Sequence, residues 1–282
     1  MTSDFDPKSG RRSVLLMGAA ALAASCTRNQ APSGAAAPSG PTPPASPAAT
    51  TALEAPTKAP AAAQTPTAPS SAEKTTPLVA TLTVELWHDT VCPWCRIGCH
   101  NLRTALTRFT ARPVTVVYHP FLLDPDTPEG GSNLRERLQQ KYGRDPEPMF
   151  ARVVAAGARH GVGFDFSRVT IAPETSRSHV LIDVAPSDRK AAVIDAIHSA
   201  YFDRGENLGD VAVLTRIATI AGLDVALAMS AVGDPARRAA IRTAALDATR
   251  RGISGVPYFK IGSRTLNGAQ DPDTIVSALE AA

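Results

Sequence analysis

Two cysteines separated by two residues, Cys92 and Cys95, stand between an apolar run and an amphipathic stretch, and this pattern strongly limits the fold. Residues 79–87 are rich in Val, Leu and Thr and predict a buried strand. Residues 93–110 carry apolar side chains three and four positions apart, which predicts a helix with one buried stripe. Pro93 suits the first helical position, because its missing N–H would be unpaired there. Cys92 is therefore predicted at the helix N-cap, with Cys95 facing inward in the first turn.

The predicted helix start gives the first cysteine a chemical role. Unpaired backbone N–H groups and the positive end of the helix dipole favour the thiolate form of a sulfur at this place. A thiolate of this kind is both an attacking group and a good leaving group in disulfide exchange. Cys95 would supply the second thiol, which resolves the mixed disulfide formed at Cys92. Strand, C-x-x-C and helix in this order are typical of a thioredoxin-like dithiol site.

Other uses of a C-x-x-C pair are a structural disulfide, half of a zinc site, a haem attachment or an iron–sulfur site. No second C-x-x-C or H-x-H pair follows, so nearby residues do not assemble four tetrahedral ligands. Arg96 stands where haem attachment needs histidine. Cys99 gives three-cysteine spacing, but the fourth ligand of a cluster is missing. We therefore predict a redox dithiol, with no metal and no cofactor.

The first 26 residues have the pattern of an export signal. Arg11-Arg12 precede a short apolar run, residues 13–24, which is well below the roughly 20 residues of a membrane span. The paired arginines resemble a twin-arginine signal. The segment that ends at Cys26 resembles a bacterial lipobox, in which the cysteine becomes the acylated first residue. The alternative is an ordinary signal peptide with an unpaired Cys26.

Residues 27–78 have the composition of a disordered linker. They hold 11 of the 24 prolines, much Ala, Thr and Ser, and no aromatic residue. Such a segment does not bury enough apolar surface to offset the entropy of ordering. An anchor, a spacer and a domain at residues 79–282 predict a protein tethered to the outer face of a bacterial membrane. The net charge of +3 is spread along the chain, so no nucleic-acid partner is predicted.

The remaining elements complete an α/β domain. Residues 114–118 predict a second strand, so the domain begins as a β-α-β unit with parallel strands. The pattern is helical over about 130–251, and it predicts helices at 134–138, 149–160, 179–185, 189–202, 211–221 and 235–250. Strands at 258–261 and 265–266 and a helix at 272–281 follow. The prediction is a thioredoxin-like fold, β-α-β then β-β-α, with a long α-helical insertion between its halves.

Several sequence blocks together resemble the DsbA-like thioredoxin family, and within it the FrnE-like branch. The blocks are Asp89-Thr90-Val91-Cys92-Pro93-Trp94-Cys95, His119-Pro120-Phe121-Leu122-Leu123-Asp124-Pro125, Leu134-Arg135-Glu136-Arg137-Leu138, Ala200-Tyr201-Phe202, Gly252-Ile253-Ser254-Gly255-Val256-Pro257-Tyr258-Phe259 and Asn267-Gly268-Ala269-Gln270. The chain departs from the branch at Glu174-Thr175, where relatives often carry Asn-Thr before the histidine matching His179. It also departs in its predicted export signal and tether.

The resemblance implies a substrate-binding loop beside the sulfurs. The residue that matches Pro257 follows a cis peptide bond in this family, and cis bonds are nearly confined to proline. The backbone of Val256 would then offer strand-like hydrogen bonds to an extended substrate. A trans proline at the start of an edge strand is the alternative. Trp94, inside the motif, would flank the substrate disulfide or cover the sulfurs.

Two further residues are candidates for a proton relay. Glu85 alternates away from the apolar residues of its strand and would lie beneath the inner cysteine, where a carboxylate shuttles a proton. The alternative is a glutamate that faces water. His88, just before the motif, would stabilise the thiolate as a cation or lie solvated in a loop. Cys99 is predicted as a buried small apolar residue, with a third redox thiol as the alternative.

The resemblance implies a thiol–disulfide oxidoreductase of the protein disulfide oxidase or isomerase type. Its partners would be protein thiols or disulfides, a separate redox-recycling protein, and the membrane through the lipid at Cys26. A glutathione-dependent isomerase or transferase of the same fold, acting on a small apolar substrate, is the second enzymatic hypothesis. Members of that type generally present one nucleophile, often Ser, whereas this chain has two cysteines. A binding module with a structural disulfide is the third hypothesis.

Overall fold

The computed structural model describes residues 80–282. The predicted export signal, Cys26 and the predicted linker at 27–78 therefore lie outside the described residues, and so does the first residue of the predicted domain. None of the described helices has the length and apolar character of a membrane span.

A four-stranded sheet forms one layer of the domain. Its strands are β1 (Leu82–His88), β2 (Val114–Pro120), β5 (Tyr258–Ile261) and β6 (Arg264–Asn267), in the order β2-β1-β5-β6. β1 pairs with β2 in parallel and with β5 in antiparallel register. The predicted parallel β-α-β unit is confirmed, and the C-terminal strands complete the same sheet through the central strand β1.

Two helices belong to the sheet-forming halves of the chain. α1 (Pro93–Arg108) links β1 to β2, and α9 (Pro272–Glu280) ends the domain and packs beside α1. Their apolar stripes are buried with the even-numbered side chains of β1, because successive strand residues point to opposite faces. This face of the sheet carries most of the core.

The segment between β2 and β5 is mainly helical, as predicted. It contains a two-stranded ladder of β3 (Ser132–Asn133) and β4 (Ile171–Ala172). Its helices are α2 (Leu134–Tyr142), α3 (Glu147–Ala158), α4 (Ser176–Val184), α5 (Lys190–Phe202), α6 (Val211–Ile220), α7 (Val225–Gly233) and α8 (Pro235–Arg250). The buried residues of α4, α5 and α6 join the core of the sheet-forming halves. The insertion and the sheet therefore share one hydrophobic core.

The boundaries of the predicted elements move by a few residues, and one helix was missed. The structured strand begins at Leu82 rather than at 79, and the first helix ends at Arg108 rather than at 110. α8 and β5 have the predicted bounds. The missed helix, α7, is apolar on several sides and shows no clear stripe. Its start is marked by Asp224, whose side chain accepts a hydrogen bond from the Leu227 N–H at 3.0 Å.

Candidate active site

Cys92 lies at the N-cap of α1, as predicted. Its backbone is extended, with φ −83° and ψ 114°, and Pro93 is the first helical residue. The Cys92 carbonyl accepts hydrogen bonds from the N–H groups of Cys95 at 3.0 Å and Arg96 at 3.2 Å. The residue is only 3% exposed. The first turn of α1 thus directs its unpaired N–H groups toward the segment that carries the sulfur.

Cys95 and Cys99 lie deeper in the same helix, and both thiols are free and buried. Burial raises the pKa of Cys95 well above its ordinary value, and a hydrogen bond with the Cys92 side chain adds to the rise. A hydrogen bond with the Asp89 backbone opposes it. Burial also raises the pKa of Cys99 to about 12. Cys99 is the buried small side chain that its helical spacing predicts.

The loop before β5 closes over the outer cysteine. The Val256–Pro257 peptide bond is cis, which confirms the prediction drawn from the resemblance. The Cys92 thiol donates to the Val256 carbonyl, with sulfur and oxygen 3.6 Å apart. Helix α1 approaches the loop at Gly98, where an added Cβ would lie 2.8 Å from Pro257 Cγ. Glycine at this position lets the helix and the proline loop meet around the sulfurs.

Trp94 lies at the rim of the site. It is the residue directly before Cys95 in the C-x-x-C motif. The residue is 36% exposed, whereas Cys92 and Cys95 are buried. Val256 is half-buried and packs against the small apolar cluster that contains Trp87. An exposed aromatic ring and a loop backbone thus stand at the entrance to the two sulfurs.

Glu85 does not lie beneath the inner cysteine. It shares a face of β1 with Trp87, opposite to Val84 and Leu86, which pack in the core with Cys99. Its carboxylate accepts from Lys260 Nζ at 2.8 Å and is 3.1 Å from His119 Nε2. These contacts, chiefly the hydrogen bond from Lys260, lower the pKa of Glu85. The carboxylate predicted as a proton relay belongs to an ion cluster on the far face of the sheet.

His88 is neither a cation nor a solvated loop residue. It is the last residue of β1 and is 1% exposed. Burial lowers the pKa of His88 well below 6.5, and the neighbouring histidines His179, His198 and His119 lower it further. The ring is therefore neutral near pH 7. The expectation of an imidazolium beside the thiolate was wrong, because a charged ring would lose its hydration at this position.

A buried polar contact between the redox segment and α4 was not predicted. Thr90 Oγ1 and Ser178 Oγ form a buried hydrogen bond at 2.9 Å. Next to it, the Asp89 carboxylate is 1% exposed, and its Oδ1 lies 3.7 Å from His179 Nε2. Asp89 Oδ2 accepts from the Leu123 N–H at 2.7 Å. The sequence shows His179 in the insertion, but no spacing rule predicts that it contacts a motif about 90 residues earlier.

Metal ligands do not gather in the described part of the chain. Within residues 80–282, no group of three or more His, Cys, Asp or Glu side chains has an arrangement that would hold an ion. The main features of the site are the free Cys92 and Cys95 thiols and the burial of the residues around them.

A thiol pair at the start of a helix, facing a proline loop at the ends of the two central strands of a mixed sheet, defines a thioredoxin-like protein. The model of the DSBA-like thioredoxin domain matches residues 83–280. The chain therefore belongs to the DSBA-like thioredoxin family.

Individual relatives cover the same region. The uncharacterized protein YwbO of Bacillus subtilis (strain 168) is 26% identical over 205 residues, which are 71% of this chain and 96% of that protein. The crystal structure of the probable DsbA oxidoreductase SCO1869 from Streptomyces coelicolor has a TM-score of 0.64 and 30% identity, and covers 71% of this chain and 89% of its own. The cytosolic disulfide reductase DsbM of Pseudomonas aeruginosa, solved with GSH, has a TM-score of 0.51 and 22% identity. It covers 71% of this chain and 98% of its own, and it shows the fold alone.

Proposed function

We propose that the protein is a thiol–disulfide oxidoreductase that acts on protein thiols through Cys92 and Cys95. The observation that carries this proposal is the asymmetry of the pair. Cys92 lies at the positive end of α1 and contacts the Val256 carbonyl, whereas Cys95 is fully buried with a raised pKa. An outer sulfur at the start of a helix and a buried inner thiol that stays protonated are what a dithiol exchange centre needs.

The proposed reaction is a two-step exchange. In the oxidising direction, a substrate thiolate attacks the Cys92 sulfur of the oxidised pair, and the Cys92–Cys95 bond breaks with its electron pair going to Cys95. A second substrate thiol loses its proton, attacks the substrate sulfur of the mixed disulfide and releases Cys92 as a thiolate. The substrate loses two electrons and the protein pair gains them, while Cys95 takes up a proton. The reducing direction reverses each step.

Trp94, Val256 and Pro257 are proposed to bind the substrate. The Val256 backbone lies beside the reacting sulfur, so an extended substrate segment would align its own backbone there. The exposed ring of Trp94 would cover the substrate disulfide on its other side. Backbone hydrogen bonds of this kind would select a substrate segment for its extended conformation rather than for a particular side chain.

We further propose that the domain works outside the cytoplasm, tethered through lipidated Cys26 and the linker at 27–78. The motif blocks support placing it in the FrnE-like branch. A separate redox protein would return the pair to its working state. Acyl labelling of Cys26 in cells, lost in Cys26→Ser, tests the anchor directly.

Replacement of the outer cysteine tests the proposed function. Cys92→Ser should lower the turnover of a protein dithiol substrate by about 100-fold or more, because the hydroxyl neither attacks nor leaves as a thiolate does. Cys99→Ala, which removes a thiol outside the pair, should stay within about twofold of the wild type. Full turnover by Cys92→Ser would contradict the proposal.

A glutathione-dependent isomerase would need only one of the two sulfurs. Activity that survives Cys95→Ala with glutathione present would favour that second hypothesis. Titration of the full chain in glutathione buffers then measures the redox potential of the Cys92–Cys95 pair, which indicates the direction of the reaction. A potential of about −120 to −180 mV would indicate an oxidase or isomerase, and one of about −270 mV would indicate a reductase or isomerase.

A further inference from the structure

A small cavity opens along one side of α1, beginning at the residue after Cys95. It is lined by Arg96, His100 and Arg103 of α1, by Asp195 and His198 of α5, and by the loop at 161–163. The three α1 residues are four and three positions apart, so they share one face of the helix. The cavity has a volume of about 180 Å³. A pocket for a drug-sized ligand has roughly 300–1,000 Å³, so this cavity suits a small ion or molecule.

His198 is the residue of this cavity that most needs a ligand. It is 2% exposed, and in the part of the chain that the structure describes neither of its ring nitrogens has a hydrogen-bond partner. Buried polar side chains are nearly always hydrogen-bonded in native structures, so an unpartnered ring requires an explanation. The ring lines the cavity, and a ligand held there would supply the missing partner. Burial lowers the pKa of His198 to about 3, so the ring is neutral near pH 7 and carries one N–H donor.

The charges around the cavity favour an anion. Arg96 and Arg103 are cationic, and Asp195 is the carboxylate among the lining residues. The two arginines add to the lowering of the pKa of His198, which means that their positive charge acts at the ring. A positive potential that disfavours a proton on the ring favours an anion beside it. Burial also lowers the pKa of His100, so this ring is a neutral donor as well.

Both arginines are held in place, and both keep donors for a ligand. The Arg96 guanidinium donates to the Asp203 carboxylate at 2.8 and 3.0 Å. It also lies over two phenylalanine rings, 5.2 and 5.7 Å from their centroids. Arg103 Nη1 lies 2.7 Å from Asp195 Oδ1. A guanidinium has five N–H donors, so an arginine that is paired with one carboxylate has donors left for a second acceptor.

We propose that this cavity binds a small oxyanion from solution, with His198 donating a hydrogen bond to it and Arg96 and Arg103 compensating its charge. Inorganic phosphate and small carboxylates share this chemistry. A metal ion is a poorer occupant, because no group of three or more His, Cys, Asp or Glu side chains between residues 80 and 282 would hold one. The proposal does not depend on the proposed function, since its test measures binding rather than thiol exchange.

Calorimetric titration of the full chain at pH 7 measures the binding directly. Inorganic phosphate and acetate are the two probes, and sodium chloride at the same ionic strength is the reference, because salt screens exposed charges whatever its anion. We expect one saturable site per chain for phosphate, for acetate or for both, and none for chloride. The probe with the smaller dissociation constant then indicates whether the site prefers an inorganic oxyanion or a carboxylate.

Variants of the lining residues locate the site. Arg103→Gln should raise the dissociation constant of the better probe about tenfold or more, because it removes a charged hydrogen-bond donor. His198→Leu should raise it to a similar extent, although it changes no charge at pH 7. Arg108→Gln is the matched control, since it removes the same charge from the last turn of α1, where Arg108 pairs with Asp273 outside the cavity. Its dissociation constant should stay within about twofold of the wild type.

Absence of saturable binding of both probes to the wild type would overturn the proposal. Equal weakening in Arg103→Gln and Arg108→Gln would also overturn it, because the attraction would then come from the overall charge of the helix. Circular dichroism melts show whether each variant folds. If Arg103→Gln does not fold, His198→Leu decides, and a dissociation constant equal to that of the wild type in this variant would contradict the proposal.

Discussion

Two acid–histidine pairs lie on either side of the sheet, and they differ in their surroundings. On the far face, Glu85 and His119 are 3.1 Å apart, with side chains 28% and 32% exposed, and Lys260 completes the cluster. On the core side, Asp89 and His179 are 3.7 Å apart, with side chains 1% and 2% exposed. The outer pair is shorter and fully paired. The inner pair is longer, and within residues 80–282 the Nε2 of His179 has no hydrogen-bond partner, so the two pairs differ in burial and in completeness of pairing.

The largest expected difference between the two pairs is in stability. Asp89→Ala leaves the part-buried Leu123 N–H without its acceptor at 2.7 Å, and the loss of a hydrogen bond to a charged group should lower the free energy of unfolding by about 3 kcal/mol. Chemical denaturation at pH 7 measures this change. Glu85→Ala is the matched control and should cost less than about 1 kcal/mol. Equal losses would remove the distinction between the pairs.

The second difference is in acid sensitivity. The folded protein protonates His198 near a pKa of about 3, because the ring is buried, whereas the unfolded chain does so near 6.5. The unfolded chain therefore binds more protons between these values, and stability falls as the pH falls through this interval. At pH 5 this ring should cost about 2 kcal/mol relative to pH 7.

His198→Leu should abolish that part of the acid loss, as measured by urea denaturation at pH 7 and pH 5. His119→Gln on the far face is the control. Burial lowers the pKa of His119 as well, but Glu85 opposes the shift, so the acid sensitivity removed by this variant should be smaller. An acid loss that is the same in His198→Leu as in the wild type would show that the ring is not buried in neutral form.

The smallest expected effect belongs to Glu85. Its folded pKa is lowered below 4.5, chiefly by the hydrogen bond from Lys260, so its contribution to stability is present above that pH and is lost as the pH falls through the folded value. Glu85→Gln should lower the free energy of unfolding by less than about 1 kcal/mol at pH 7. The difference from the wild type should disappear below the folded pKa. A difference that persists there would indicate a packing role.

Features contained in one stretch of sequence were predictable. The N-cap position of Cys92, the inward position of Cys95 and the strand after Pro257 each follow from neighbouring residues. Glu85 was predicted beneath Cys95 because it lies in the strand before the motif. Strand alternation, however, already placed its side chain on the face opposite Val84 and Leu86. The resemblance supplied the cis bond at Val256–Pro257, which periodicity alone left open.

Features that join distant segments were not predictable from one sequence. Asp89 and His179 are 90 positions apart, and their meeting depends on how α4 packs against the end of β1. The burial of His88 has the same origin, because the residue stands at a strand end that the insertion covers. Local sequence patterns predict the helix or strand to which a residue belongs. Tertiary packing decides whether its side chain is buried or hydrated.

The order of the segments along the chain also has a consequence for synthesis. Cys92 contacts the carbonyl of Val256, a residue 164 positions later, and the central strand β1 pairs with β5 beyond the whole insertion. At about 5–20 residues per second, the ribosome completes the cysteine motif roughly 8 to 30 seconds before the proline loop. During that interval the nascent thiols have no loop over them and β1 lacks one neighbour. The newly made chain is therefore open to outside oxidants and to mispairing until its last strands are made.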